Sequence, residues 1–148
     1  MELSKSLKKL GGRWVTSEGF VISWVTSSKG SEIGNPWLMV LHEDRGWEFP
    51  GGSAEEGEEW DVAALRELFE EAGLLGTAKA YDEDLVEGGV VVWVEVDEEP
   101  VPEPWLSNDP RIAEVGWCIE VPGNLAWDAS EVEKIRNHDW SDSETLGS

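Results

Sequence analysis

Between Gly52 and Leu74 the chain sets glycine, glutamate and arginine at intervals that strongly restrict its local structure. Gly52 is followed after five residues by Glu58, after seven more by Arg66-Glu67-Leu68, then by Glu70-Glu71 and Gly73-Leu74, each after a single intervening residue. The chain is rich in glutamate, so some acid clustering is expected from composition. With its own residue frequencies, a match at every fixed position somewhere in the chain has a chance on the order of one in a million. Residues three and four apart share a helix face, so the spacing predicts a helix on which Glu67, Glu70 and Glu71 converge. Val62, Leu65, Phe69 and Ala72, with Leu68 beside them, recur on another side and are expected to be buried while the acids face solvent. Gly73 stands where a left-handed C-cap is wanted, and Gly51, Gly52 and Gly57 mark a tight loop before the helix.

Three carboxylates gathered in one place repel one another and need a cation among them. Hard oxygen donors with no rival His or Cys cluster suit magnesium, or manganese, better than zinc. Glu55, Glu56 and Glu59 read as a solvated acidic surface near a helix N-terminus, favourable to its dipole. Arg66 reads from its spacing as an ordinary pair with Glu70 one turn on. Glu58 reads as a helix-start acid.

The set Gly52, Glu58, Arg66, Glu67, Leu68, Glu70, Glu71, Gly73 and Leu74 resembles the signature of the Nudix hydrolases at every fixed position. The lead-in Trp47-Glu48-Phe49-Pro50-Gly51-Gly52 is similar to that of the MutT-like nucleoside triphosphate pyrophosphohydrolases, although Ser53 replaces the lysine that often follows the glycines there. The resemblance implies an α/β sandwich with a mixed β-sheet between helices. It implies a magnesium-dependent nucleotide pyrophosphatase, with Glu67, Glu70, Glu71, the Gly52 carbonyl and, in some members, Glu58 around the metal. Arg66 would orient the catalytic glutamates, and the general base would be one of them or a distal acid. Glu114, just ahead of Val115-Gly116-Trp117-Cys118, is the distal choice, with Glu98 or Glu99 as the loop alternative. The expected substrate is a nucleoside triphosphate, ordinary or oxidised. ADP-ribose, a dinucleoside polyphosphate and a non-catalytic nucleotide sensor are the rival readings, and family members are often homodimers.

The 148 residues suffice for one domain, 1–148, with frayed ends expected near 1–10 and 141–148. Asp and Glu number 32 against 11 Lys and Arg, a net charge of −21 spread along the whole chain. Such dispersed acidity resembles cytoplasmic proteins of organisms that accumulate molar salt, where screening tolerates self-repulsion. It disfavours a nucleic-acid polymer as partner, since a phosphate backbone needs a basic footprint and the lysines up to Arg13 do not supply one. Inositol polyphosphates are disfavoured for the same reason. Cys118 alone cannot form an internal disulfide, Met1 to Leu10 lack the apolar core of a signal peptide, and no run reaches membrane-spanning length, so a soluble cytoplasmic protein is expected. Ten Trp against three Phe and one Tyr supply much of the large apolar volume, more for packing than for stacking.

Strands are expected at 19–27, 36–43, 77–81, 88–96 and 113–121 from their β-branched, aromatic and apolar runs. The stretch from Asp97 to Trp105, with three prolines and four acids, reads as an extended loop. Ser130 with Glu133 three residues later predicts a capping box opening a second helix. Arg13, Lys29 and Arg45 are the cations nearest the inferred pocket in sequence, with no role assigned. His42 and His138 have no visible partner and read as structural rather than catalytic, Asn124 serves either a turn or a base contact, and Cys118 reads as core.

Overall fold

The computed structural model describes residues 7–10, 13–16, 19–30 and 34–145. Two short strands, β1 (Leu7–Leu10) and β2 (Arg13–Thr16), form a separate antiparallel pair. The main sheet then takes β3 (Phe20–Ser27), β4 (Trp37–His42), β5 (Gly46–Glu48) and β6 (Gly51–Ser53) before α1 (Trp60–Ala72). After the helix come β7 (Gly76–Asp82), β8 (Gly89–Val96), β9 (Trp105–Leu106) and β10 (Ile112–Cys118), then α2 (Ala129–Arg136), a 3-10 turn at Trp140–Asp142 and β11 (Glu144–Thr145). The strand order is β11-β7-β8-β3-β4-β10-β9, with β5 on β4 and β6 on β3. β3 and β8 run parallel in register from Phe20 and Gly89 to Ser27 and Val96, and the other pairings are antiparallel, so the sheet is mixed.

Alternation along the central strands builds two cores. Val21, Val25, Leu38, Val40, Val92 and Val94 pack with Ala63, Ala64 and Leu68 of α1 on one face. Ile22, Trp24, Trp37, Met39 and Val91 pack with Val132 and Ile135 of α2 on the other. Neighbouring side chains of a strand point to opposite faces, so a near-continuous apolar run is what a sheet covered on both sides requires. The expected α/β sandwich is thus the observed one. Tryptophan serves packing: Trp24 stacks on Trp37 with centroids 5.4 Å apart, and Phe49 meets Trp24 and Trp127 edge-on.

Some local expectations are corrected. The buried stripe of α1 is Trp60, Ala63, Ala64, Leu68 and Ala72, whereas Val62 and Phe69 are 50% and 54% exposed. Large side chains were expected inside, yet the helix lies close to the sheet and its inner face takes alanines. Gly51 and Gly52 belong to β6, not to a loop. The cap of α2 is Asp128, whose carboxylate accepts from the Ser130 N–H at 2.9 Å, so Ser130 is inside the helix. An ionised carboxylate is the stronger acceptor and favours the helix dipole. The expected frayed ends fall partly outside the described residues, but Leu7–Leu10 is paired and Glu144–Thr145 adds to β7.

Candidate active site

α1 is held at both ends by its surroundings. Its start follows a turn in which Gly57 has φ 81° and the Glu58 N–H donates to the Glu55 carbonyl at 2.9 Å. Its end is the expected left-handed cap, Gly73 at φ 76° with its N–H on the Phe69 carbonyl. The last carbonyls are taken by side chains from the segment before β10: Ser107 Oγ donates to Glu71 O at 2.6 Å and Trp105 Nε1 to Ala72 O at 3.1 Å. These bonds satisfy groups that a helix end otherwise leaves orphaned. They also bring Asp109 and Arg111 to the helix.

One wall of the resulting cleft is β6. Gly51 N–H donates to Glu71 Oε1 at 3.1 Å. A Cβ on Gly51 would overlap the backbone of Val21 and Ile22, so that position requires glycine, and one on Gly52 would displace the Glu67 carboxylate. His42, Arg45, Glu48 and Arg111 also line the cleft, which holds about 430 Å³.

Arg66 is the hub of the acids. Its Nε and Nη2 grip both oxygens of Glu58 at 2.7 and 2.9 Å, its Nη1 reaches Glu67 Oε2 at 3.3 Å and Glu70 Oε1 at 3.2 Å, and Nη2 also meets the Ser53 carbonyl at 3.2 Å. An ordinary pair with Glu70 is therefore only part of its contacts. The hydrogen bonds from Arg66 hold the Glu58 carboxyl below its usual range. Both Glu58 oxygens are occupied, which sets this acid apart as a partner of Arg66.

The three acids line one cleft but sit at different depths. Glu67 and Glu71 lie about 40° apart around the helix and Glu70 about 100° from Glu71. Accordingly Glu67 and Glu71 are 7% and 4% exposed beneath the cleft, not presented to solvent, while Glu70 is half-exposed on the rim and drawn to Arg66. Among the described residues no three acid, His or Cys side chains form a ready metal-ligating group. Burial raises the Glu71 pKa to about 8, the nearby Glu67 adding to the shift and the Gly51 N–H opposing it. Glu67 is raised as well, again first by burial, with Arg66 countering. Two buried acids that resist ionisation side by side, next to a glycine backbone, fit a hard divalent cation. Glu67, Glu71, Glu70 and the Gly52 carbonyl are the oxygen donors at hand.

Glu114 is not brought to this cleft. Its neighbours Val115 and Trp117 pack into the α1-side core, so strand alternation turns Glu114 to the far face, and a register shift between Ile112 and Glu114 keeps Ile112 on the near one. Glu98 and Glu99 are exposed in the loop after β8, outside the lining. Lys29 is exposed and outside it too, and the side chain of Arg13 lies beyond the described side chains. His42, read as structural, lines the cleft and accepts the Asp44 N–H on Nδ1 at 3.1 Å. His138 does have partners, Ser143 Oγ at 2.7 Å and Asp82 at 3.3 Å. Asn124 forms a turn at φ 53°, its carbonyl taking the Trp47 N–H. Cys118 is half-buried in the α2-side core, where burial lifts its thiol to about 11. Glu48, Asp109 and Arg111 were missed, since only strand pairing and the Ser107 and Trp105 bonds to the end of α1 bring them near the helix.

A mixed sheet between two helices, with an arginine-centred acid cluster facing a glycine strand, defines an α/β protein built around an anionic cleft. Residues 20–142 match the NUDIX domain, and the chain belongs to that family. It is 58% identical over 41 residues to a Bacillus subtilis (strain 168) protein provisionally named 8-oxo-dGTP diphosphatase YtkD, a match spanning 28% of this chain and 26% of that relative. A Bacillus subtilis pyrophosphohydrolase structure is similar in fold, with TM-score 0.58 and 21% identity over 91% of each chain. A MutT NUDIX hydrolase of Burkholderia pseudomallei aligns with TM-score 0.55 and 17% identity over 82% of this chain and 98% of that one. A Caenorhabditis elegans Ap4A hydrolase gives TM-score 0.58 and 16% identity over 79% and 92%.

Proposed function

We propose that the protein is a magnesium-dependent hydrolase of nucleoside diphosphate-linked compounds, cleaving a nucleoside triphosphate, ordinary or oxidised in its base, to the monophosphate and pyrophosphate. The observation that carries this reading is the pair of buried acids, Glu67 and Glu71, set against the Gly51-Gly52 backbone with Arg66 bracing the adjoining acids. A relative that shares 58% identity over 41 residues and is named for 8-oxo-dGTP supports the triphosphate over its rivals.

Glu67, Glu70, Glu71 and the Gly52 carbonyl would hold the cation, with manganese the alternative metal. A divalent ion there neutralises the diphosphate and acidifies water. The protein's own groups do the rest. Arg66 keeps Glu67 and Glu70 in fixed rotamers, and the closed backbone of β6 sets the floor against which the diphosphate lies. With Glu114 on the far face, proton removal falls to an acid of α1. Glu70, the most accessible of the three, is the choice, since a base must come within hydrogen-bond reach of the water.

The test is product release in molar potassium chloride with magnesium, parent against Glu70→Gln. The panel holds ordinary and 8-oxo triphosphates, ADP-ribose and a dinucleoside tetraphosphate. Pyrophosphate and monophosphate from a triphosphate, falling about a hundredfold or more in the variant, are expected. Cleavage of ADP-ribose or the tetraphosphate alone would replace the substrate, and no turnover by a folded, magnesium-binding parent would favour the sensor.

A further inference from the structure

Two arginines line the cleft with the carboxylates, Arg111 near enough to Glu67 and Glu71 to feel their charges. Arg45 lies in the turn between β4 and β5, and Arg111 immediately precedes β10. Those strands pair with Ile112 opposite His42, and the Glu43 N–H donates to the Arg111 carbonyl at 3.0 Å. Each guanidinium is gripped from one side. Arg45 places Nε and Nη2 on Glu48 at 3.1 and 3.0 Å, and Arg111 places the same two nitrogens on Asp109 at 3.2 and 2.9 Å.

This fork geometry fixes the plane of each group. It leaves Nη1 of both arginines without a hydrogen bond to any described residue. The two side chains are 59% and 69% exposed, and each is near enough for Arg111 to oppose the positive charge of Arg45. The third arginine of the cleft, Arg66, is spent on acids and the Ser53 carbonyl. In a chain with 32 acids and 11 Lys and Arg, two oriented cations on one rim form the cleft's accessible basic face.

We propose that Arg45 and Arg111 form a clamp for a terminal phosphate, received by their Nη1 groups, so that the site prefers compounds ending in a free phosphate chain. A terminal phosphate brings close to two negative charges and three acceptor oxygens. A diphosphate capped at both ends, as in ADP-ribose, lacks that group. The clamp rests on the nucleotide-hydrolase reading and adds which end of the substrate the arginine wall takes.

The experiment is calorimetric titration of the magnesium-loaded protein with an α,β-imido nucleoside triphosphate and with ADP-ribose. Parent, Arg45→Ala, Arg111→Ala and the two Lys variants are compared, with melting temperature and near-ultraviolet tryptophan dichroism confirming the fold of each. Each Ala variant is expected to weaken the triphosphate analogue about tenfold or more. The Lys variants should recover only part, because an ammonium lacks the fork. ADP-ribose affinity should change less than about threefold.

Ala variants that bind the analogue as the parent does, a parent that does not bind it, or equal losses for both ligands would overturn the clamp. Binding of the imido analogue is read without turnover, so the two proposals fail separately. Arginine-dependent binding by a protein that cleaves nothing removes the hydrolase and keeps the clamp, whereas triphosphate cleavage with unaltered binding in both Ala variants does the reverse.

Discussion

At the scale of single residues, Glu71 shows how position overrides type. It is one of many glutamates, yet its burial under β6 raises its pKa to about 8 from an ordinary 4.5. The folded state therefore binds the proton more tightly than the unfolded chain. The stability this gives is complete below about pH 4.5 and is lost as the pH rises towards about 8, by at most about 1.4 kcal/mol for each unit crossed. In metal-free protein the melting temperature of the parent should fall over this interval more than that of Glu71→Gln, and magnesium at pH 8 should raise the parent selectively. Equal pH slopes for the two proteins would show that Glu71 ionises freely. The acid spacing in the signature was legible from sequence. The depth of each acid was not, because it depends on how closely β6 lies against α1.

At the scale of elements, α1 is the clearest lesson. Its existence and its Gly73 cap follow from periodicity and local chemistry. Its inner face does not: Val62 and Phe69 outrank alanine in hydrophobicity, but only Ala63 and Ala64 let the helix approach the sheet. Leu68 is fully buried among Val21, Val40 and Ala64, so Leu68→Ala should cost about 2–5 kcal/mol in a urea titration. Phe69→Ser, at a half-exposed position, should change stability by no more than about 0.5 kcal/mol. A reversed order would return the apolar stripe to the one expected from sequence. The second helix carries the same message in smaller form, since both Asp128 and Ser130 are good caps and only the turn's backbone selects the first.

For the molecule as a whole, net charge is the dominant feature. The −21 charges lie on a sheet-centred body whose cores are apolar on both faces, so repulsion acts across the surface and opposes compaction. Raising potassium chloride from about 0.1 to about 1 M shortens the screening length from about 10 to about 3 Å. The melting temperature should rise with it, and by more than in an equal concentration of sucrose, which does not screen charge. A melting temperature indifferent to salt would remove the high-salt reading of the composition. No helix among the described residues is long and apolar enough to cross a membrane.

By itself the sequence determined the helix that carries the acids, its glycine cap, the buried strands and the family pattern, because each rests on spacing within a few turns or one strand. Only the tertiary structure decided that Glu67 and Glu71 are covered while Glu70 is not, that Glu114 faces away, and that Arg45 and Arg111 share one rim. Those outcomes depend on strand pairing, a register shift and the distance between helix and sheet. Each joins residues far apart in the chain, so no local pattern records it.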